Sequence, residues 1–123
     1  MTGYTLDAGA LIAVERSDER IIRLLKRALD DGLEVRVPIT VVGQVWRGGP
    51  KQARLARLLR SVEVEGLTLD IAQRIGVRIG RCGHPDVIDV SVALCAEDHG
   101  QAVITSDPGD IAAVGPTLEI ITI

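Results

Sequence analysis

Short apolar segments that alternate with helical ones constrain this chain more than any other feature of its sequence. Residues 4–7, 33–37, 62–65, 101–105 and 118–121 have the length and composition of strands. Because helical stretches separate them, neighbouring strands must be joined by crossovers, which predicts βα units and a mostly parallel sheet. Such sheets carry helices on both faces. We therefore expect a single three-layer α/β/α domain over residues 1–123.

Helical segments are predicted wherever apolar residues recur at helical spacing between turn signals. The first helical region begins at about residue 8 and closes at the Asp30-Asp31-Gly32 turn. The other predicted helices cover residues 39–46, 51–60, 68–81, 86–98 and 107–113.

The composition is that of a globular chain rather than a disordered or membrane-embedded one. Hydrophobic residues make up 46% and charged residues 25%, and no apolar run approaches the ~20 residues that a membrane helix needs. The N-terminal residues lack the pattern of a signal peptide, and two cysteines are too few for a disulfide framework. We therefore expect a reduced, cytoplasmic protein without a membrane partner.

Acidic residues follow the predicted strands at positions that converge in a parallel sheet. Asp7 and Asp107 come directly after two strands, and Asp86 and Asp89 share one face of the first turn of a returning helix. All would lie beyond the carboxyl ends of the strands, where α/β sheets form their sites. With Asp110, four or five carboxylates would crowd together, and Mg²⁺ or Mn²⁺ would relieve their repulsion.

Helix capping is the alternative explanation for most of these acids. Asp107 before Pro108 is a favourable N-cap, and Asp86 with Asp89 resembles a capping pair. Asp7 differs, because it stands between an apolar strand and a run of small apolar residues. An enclosed carboxylate is costly and usually has a partner.

Three segments of the chain resemble the PIN-domain ribonucleases, and more narrowly the VapC toxins of bacterial toxin–antitoxin pairs. They read Tyr-Thr-Leu-Asp7-Ala-Gly-Ala-Leu-Ile, Asp86-Val-Ile-Asp89-Val-Ser-Val-Ala and Val-Ile-Thr105-Ser-Asp107. The resemblance implies that Asp7, Asp89 and Asp107 bind the metal, supported by hydrogen bonds from Thr105 or Ser106. It also implies an RNA substrate, a small antitoxin partner and a homodimer.

Gln44 departs from the family pattern, which usually has a glutamate on the helix after the second strand. An amide can accept a hydrogen bond from a water on the metal, but it brings no charge. Asp86, one turn from Asp89, or else Asp110, would supply the missing charge.

Basic residues without neighbouring acids provide a possible RNA-binding surface. From 47 to 60 there are five cations and no acid. Arg47, Lys51 and Arg54 are the RNA-binding candidates, and Arg74, Arg78 and Arg81 form a second stripe. Both stripes are equally compatible with a solvated helix face, and an acidic antitoxin segment docked over the site is a third possibility.

The function predicted from these features is metal-dependent hydrolysis of RNA phosphodiester bonds, with the acids holding the metal and one of them accepting a proton. A PIN fold that binds RNA or a protein without cleaving it remains the alternative, because of Gln44. A phosphoacceptor domain and a haloacid-dehalogenase-like phosphatase are disfavoured by the single Asp7 and by Gly9 two residues after it. His84 is either a surface residue or a substrate contact, and His99 is expected to be structural.

Overall fold

The computed structural model describes residues 2–123, in which five strands form one sheet. The strands are β1 (Gly3–Leu6), β2 (Glu34–Pro38), β3 (Glu63–Glu65), β4 (Ala102–Thr105) and β5 (Ile120–Thr122). Their order is β3-β2-β1-β4-β5, and every adjacent pair is parallel. The predicted α/β/α class with a parallel sheet is confirmed.

Within residues 2–123, seven α-helices connect or cover the strands. They are α1 (Ala8–Glu15), α2 (Glu19–Asp30), α3 (Ile39–Val45), α4 (Ala53–Ser61), α5 (Leu69–Cys82), α6 (Val87–His99) and α7 (Pro108–Val114), with a short 3-10 turn at Pro50–Gln52. Helix α1 packs against α2 and α4, whereas α6 packs against α5 and α7 on the other face. Within residues 2–123, no helix combines the length and apolar character needed to cross a bilayer.

The first predicted helical region is two helices in the structure. Ser17 adopts a left-handed conformation with φ +60°, which ends the path of α1. Asp18 then caps α2, because its Oδ1 accepts hydrogen bonds from the backbone of Arg20 (2.9 Å) and Ile21 (3.4 Å). The apolar spacing of α2 was therefore predicted correctly, but the turn before it was missed.

Helix α6 fixes one wall of the site. Seven consecutive residues of this helix, 90–96, are buried, so it lies between the sheet and other helices rather than on the surface. A helix packed on all sides holds its first turn firmly in place. The β1 and β4 connections leave the sheet toward opposite faces, which creates a crevice at their carboxyl ends, where α/β folds bind ligands.

Candidate metal centre and basic groove

Asp7 occupies the crevice between β1 and β4 and is only 5% exposed. Its Oδ1 accepts a hydrogen bond from the Ala8 backbone at 2.7 Å, and its Oδ2 accepts one from the Thr105 hydroxyl at 2.8 Å. Thr105 Oγ1 in turn accepts a hydrogen bond from the Asp107 backbone at 2.9 Å. The described residues form no ion pair with Asp7, so its carboxylate is oriented by dipoles alone.

Gly9 allows the first turn of α1 to approach the loop after β4. A Cβ at this position would overlap the Ser106 hydroxyl and lie 3.0 Å from the Ser106 backbone nitrogen. Of the two residues proposed to support the acids, Thr105 therefore contacts Asp7, and Ser106 packs against Gly9.

Asp89 lies in the first turn of α6, where the His84 ring meets its carboxylate. His84 Nε2 is 2.9 Å from Asp89 Oδ2, and the two side chains are 23% and 16% exposed. Asp86 caps the same helix, accepting hydrogen bonds from the backbone of Ile88 (2.8 Å) and Asp89 (3.0 Å). The capping explanation thus holds for one oxygen of Asp86, whereas the Asp89 carboxylate contacts His84 instead.

The charges around Asp89 are poorly compensated. Burial is the largest cause that raises the pKa of Asp89, and the carboxylates of Asp86, Asp7 and Asp110 raise it further. The hydrogen bond to His84 acts in the opposite direction. The pKa of His84 is raised, chiefly by that same hydrogen bond. The carboxylates of Asp7, Asp86, Asp89 and Asp110 therefore repel one another at this point.

The ligand atoms of His84, Asp89 and Asp110 lie within 4.8 Å of one another. In the described part of the chain, the predicted trio of Asp7, Asp89 and Asp107 is not gathered that closely. Asp107 occupies the N-cap position of α7, but its exposed side chain makes no capping hydrogen bond. It therefore remains available at the same edge of the sheet.

A groove of about 450 Å³ begins at Ala8, the residue after Asp7, and runs between α1 and α3. Its lining includes Ala8, Gln44, Arg47 and Lys51, together with Glu15 and Arg16. The structure thus brings the amide of Gln44 and two of the three predicted RNA-binding cations to one surface. Arg54 is not part of it and borders a separate apolar groove between α2 and α4.

Gln52, which no sequence pattern singles out, holds the loop that carries Arg47 in place. This side chain is 4% exposed. Its Oε1 accepts hydrogen bonds from the backbone of Arg47 (2.7 Å) and Gly48 (2.8 Å), and its Nε2 donates one to the Val45 carbonyl (3.0 Å). A glutamine among arginines normally predicts a solvated position, so only the loop geometry reveals this role.

Two residues of the second basic stripe, Arg74 and Arg78, are engaged in contacts within the protein. Arg74 donates two hydrogen bonds to Asp98, at 2.7 and 2.8 Å, and Arg78 binds Glu97 and the Val114 carbonyl. These contacts hold α5 against α6 and α7. The structure therefore favours a structural role for Arg74 and Arg78 over contact with RNA phosphates.

Comparison with solved structures identifies the fold. PAE2754 from Pyrobaculum aerophilum aligns with a TM-score of 0.62 at 19% identity, over 97% of this chain and 83% of that one. FitAB, in a complex bound to an IR36 DNA fragment, aligns with a TM-score of 0.66 at 18% identity, over 97% of this chain and 94% of that one. No protein-family model matches the sequence, and no curated protein sequence matches it either.

The chain has a PIN-like fold. The alignments cover nearly its whole length, and the five-stranded parallel sheet with helices on both faces matches these structures. At identities below 20%, they establish the arrangement of helices and strands and leave the chemistry to be argued from the site itself.

Proposed function

We propose that this protein is a divalent-metal-dependent endoribonuclease. The observation that carries this proposal is the convergence of carboxylates at the carboxyl ends of the strands. We call this group, Asp7, Asp86, Asp89, Asp107 and Asp110, the acidic edge. The pKa of Asp89 is raised there by burial and by its acidic neighbours, so the edge carries more negative charge than its surroundings offset. Hard oxygen donors in a crevice are the ligands that Mg²⁺ and Mn²⁺ prefer, so the residues present fit such a cation.

Asp7, Asp89 and Asp107 would hold the cation, with Asp86 or Asp110 adding charge. A divalent cation bound there would polarise a phosphodiester and lower the pKa of a water molecule. The hydrogen bonds from Ala8 and Thr105 fix the direction in which Asp7 presents its oxygens. One of the carboxylates at this edge would also accept the proton that the attacking water releases.

The groove beside Asp7 suits an RNA backbone. Arg47 and Lys51 place two cations along it, and Gln52 keeps the Arg47 loop in one conformation. Contacts between cations and phosphates give affinity without sequence specificity. This arrangement would deliver a phosphodiester to the acidic edge.

A small antitoxin is the proposed partner. A second groove of about 440 Å³ between α2 and α4 is lined by apolar side chains that include Leu25 and Leu58, and Ile22 and Leu29 beside it are each 38% exposed. Three cations border it: Lys26, Arg54 and Arg57. An amphipathic segment with acidic flanks complements this surface. The toxin–antitoxin role itself is proposed from the resemblance of the three acidic segments to the VapC toxins.

RNA cleavage by the purified protein tests the enzymatic proposal. We expect a labelled structured RNA to be cut in the presence of Mg²⁺ or Mn²⁺, and cutting to stop when EDTA is added. Asp7→Asn and Asp89→Asn should each lower the rate about 100-fold or more, because each removes a ligand charge. Asp70→Asn is the matched control, since Asp70 is also a first-turn acid but belongs to α5.

Cleavage that persists in both site variants, or that is absent with every metal, would show that the enzymatic proposal is wrong. Gln44 supports the alternative of a fold that binds RNA without cutting it, because it places a neutral amide on the groove. That alternative predicts RNA binding without cleavage, and a gain of cleavage in Gln44→Glu.

A further inference from the structure

His84 lies at the acidic edge, but it is neither a helix cap nor one of the predicted acids. The structure places its ring nitrogen Nε2 at 2.9 Å from Asp89 Oδ2, and groups it with Asp110 as well, within 4.8 Å. Its side chain is 23% exposed, so the ring lies against the protein. The ring therefore contacts one carboxylate directly and lies near a second.

The backbone around His84 explains why the ring points inward. Gly83 ends α5 in the left-handed conformation with φ +73°, which turns the chain sharply toward α6. Pro85 follows His84 and favours an extended backbone for the residue before it. Asp86 then caps α6. Because the connection is short and fixed at both ends, His84 is presented to the first turn of α6 in one orientation.

We propose that His84 is a ligand of the metal centre, and that it makes the site prefer Mn²⁺ to Mg²⁺. This inference rests on the proposed function, since it concerns the same cation. Neutral imidazole is a common ligand of transition metals, whereas Mg²⁺ favours oxygen ligands and retains several waters. One nitrogen and two carboxylates, from Asp89 and Asp110, form a donor set that discriminates between the two ions.

Binding measurements on the full-length protein test the inference without using activity. Calorimetric titrations with Mn²⁺ and with Mg²⁺ would compare the wild type with His84→Ala and His84→Gln. We expect either variant to lose about tenfold or more in Mn²⁺ affinity, the loss typical even for supporting groups of a metal site. Mg²⁺ affinity should change far less, so that the preference for Mn²⁺ collapses. Thermal unfolding of each variant establishes that it remains folded.

His99→Ala is the matched control, because His99 also contacts a carboxylate, with Nε2 at 2.7 Å from Glu65 Oε1, but on a different surface. It should leave both affinities unchanged. Pulsed EPR of bound Mn²⁺ adds a direct test, since a coordinated imidazole produces ¹⁴N coupling. We expect this coupling in the wild type and in His99→Ala, and its loss in both His84 variants.

The outcomes separate the two proposals. If Mn²⁺ binds without nitrogen coupling, or if the His84 variants lose Mn²⁺ and Mg²⁺ affinity equally, His84 only supports Asp89 and the inference is wrong, while the proposed function stands. If neither ion binds the wild type and RNA is not cut, both proposals are wrong.

Discussion

Asp89 and Glu65 are both half-buried carboxylates that contact a histidine, but the other charged groups near them differ in sign. Asp89 meets His84 among further acids, which together with burial raise its pKa. Glu65 meets His99 and also lies 3.6 Å from the Arg36 guanidinium. Arg36 binds Glu34 as well, and Gln101 donates a hydrogen bond to that same carboxylate. We call this second group (Glu34, Arg36, Glu65, His99 and Gln101) the Arg36 cluster.

The Arg36 cluster contains an arginine that pairs with its carboxylates, whereas within residues 2–123 no arginine or lysine pairs with the acids of the acidic edge. Cys95, next to Glu65, gives that cluster three metal-ligating side chains within 4.8 Å. Burial and the nearby Glu65, however, raise the pKa of the Cys95 thiol to about 12, and Arg36 already supplies positive charge. Carboxylates paired with cations stabilise a fold. Crowded carboxylates without such a partner are typical of functional sites, where a ligand offsets their charge. We therefore expect the Arg36 cluster to stabilise the fold, and we propose that the acidic edge binds a cation.

Removing the central cation of the balanced cluster should have the largest effect on stability. Arg36→Met leaves Glu34 and Glu65 as partly buried carboxylates without their cation. Because the Arg36 side chain is only 20% exposed, we expect a loss of about 2 kcal/mol in the free energy of unfolding, measured with urea. Arg23→Met, at an ion pair exposed by about 80%, is the control and should change it by less than about 0.5 kcal/mol. Equal losses in the two variants would contradict the assignment.

Thr105→Val should damage the acidic edge and the fold together. The substitution removes the hydroxyl that donates a hydrogen bond to Asp7 and accepts one from the Asp107 backbone. The Thr105 side chain is fully buried, so water cannot replace these bonds. We expect a loss of about 1.5 kcal/mol in stability and about a tenfold loss in cation affinity. Thr105→Ser keeps the hydroxyl and should retain most of the affinity. A valine variant that binds the cation normally would show that Asp7 needs no such support.

Asp89→Asn should stabilise the metal-free protein, in contrast to the two variants above. Folding raises the pKa of Asp89 above its value in the unfolded chain. Between these two pKa values the folded protein keeps a proton that the unfolded chain has lost, so stability falls as pH rises from the lower value to the higher one. At neutral pH the amide removes the unfavourable charge, and we expect a gain of about 1 kcal/mol in thermal or urea unfolding without metal. The gain should vanish near pH 3, where the wild-type carboxyl is protonated. Asp70→Asn should show no such gain.

The smallest effect is expected at the ion pair between α5 and α6. Arg74 lowers the pKa of Asp98, so the pair stabilises the fold above the ordinary pKa of an aspartate, and this contribution is lost as pH falls through the lowered value. Because both side chains are more than a third exposed, Arg74→Ala should cost only about 0.5 kcal/mol at pH 7. Urea unfolding at pH 7 and pH 2 checks this, and a cost that persists at pH 2 would have another origin.

The fold and the position of Asp7 could be predicted from the sequence because both depend on local patterns. Strand-like segments between helical ones require a parallel sheet, and an acid directly after a strand must then lie at the carboxyl edge. The break between α1 and α2 was missed, since it depends on Ser17 adopting a positive φ, which few residues other than glycine favour.

The contacts that define the site in detail could not be predicted, because they join segments distant in sequence or depend on one loop conformation. From the sequence, Arg74 and Arg78 could have contacted RNA phosphates, but in the structure they pair with the α6 acids Asp98 and Glu97. His84 gave no signal beyond a loop position near the site, and its contact with Asp89 follows from the turn at Gly83. The clamp formed by Gln52 likewise requires the folded loop.

A crystal structure of the protein grown with Mn²⁺ tests the central claim most directly, through the anomalous signal of the ion. We expect a peak at the acidic edge, within coordination distance of the Asp89 carboxylate, and none at the Arg36 cluster. The peak should disappear in Asp89→Asn crystals grown under the same conditions. A fully formed crystal without a peak at this edge, or with one at the Arg36 cluster instead, would contradict the account.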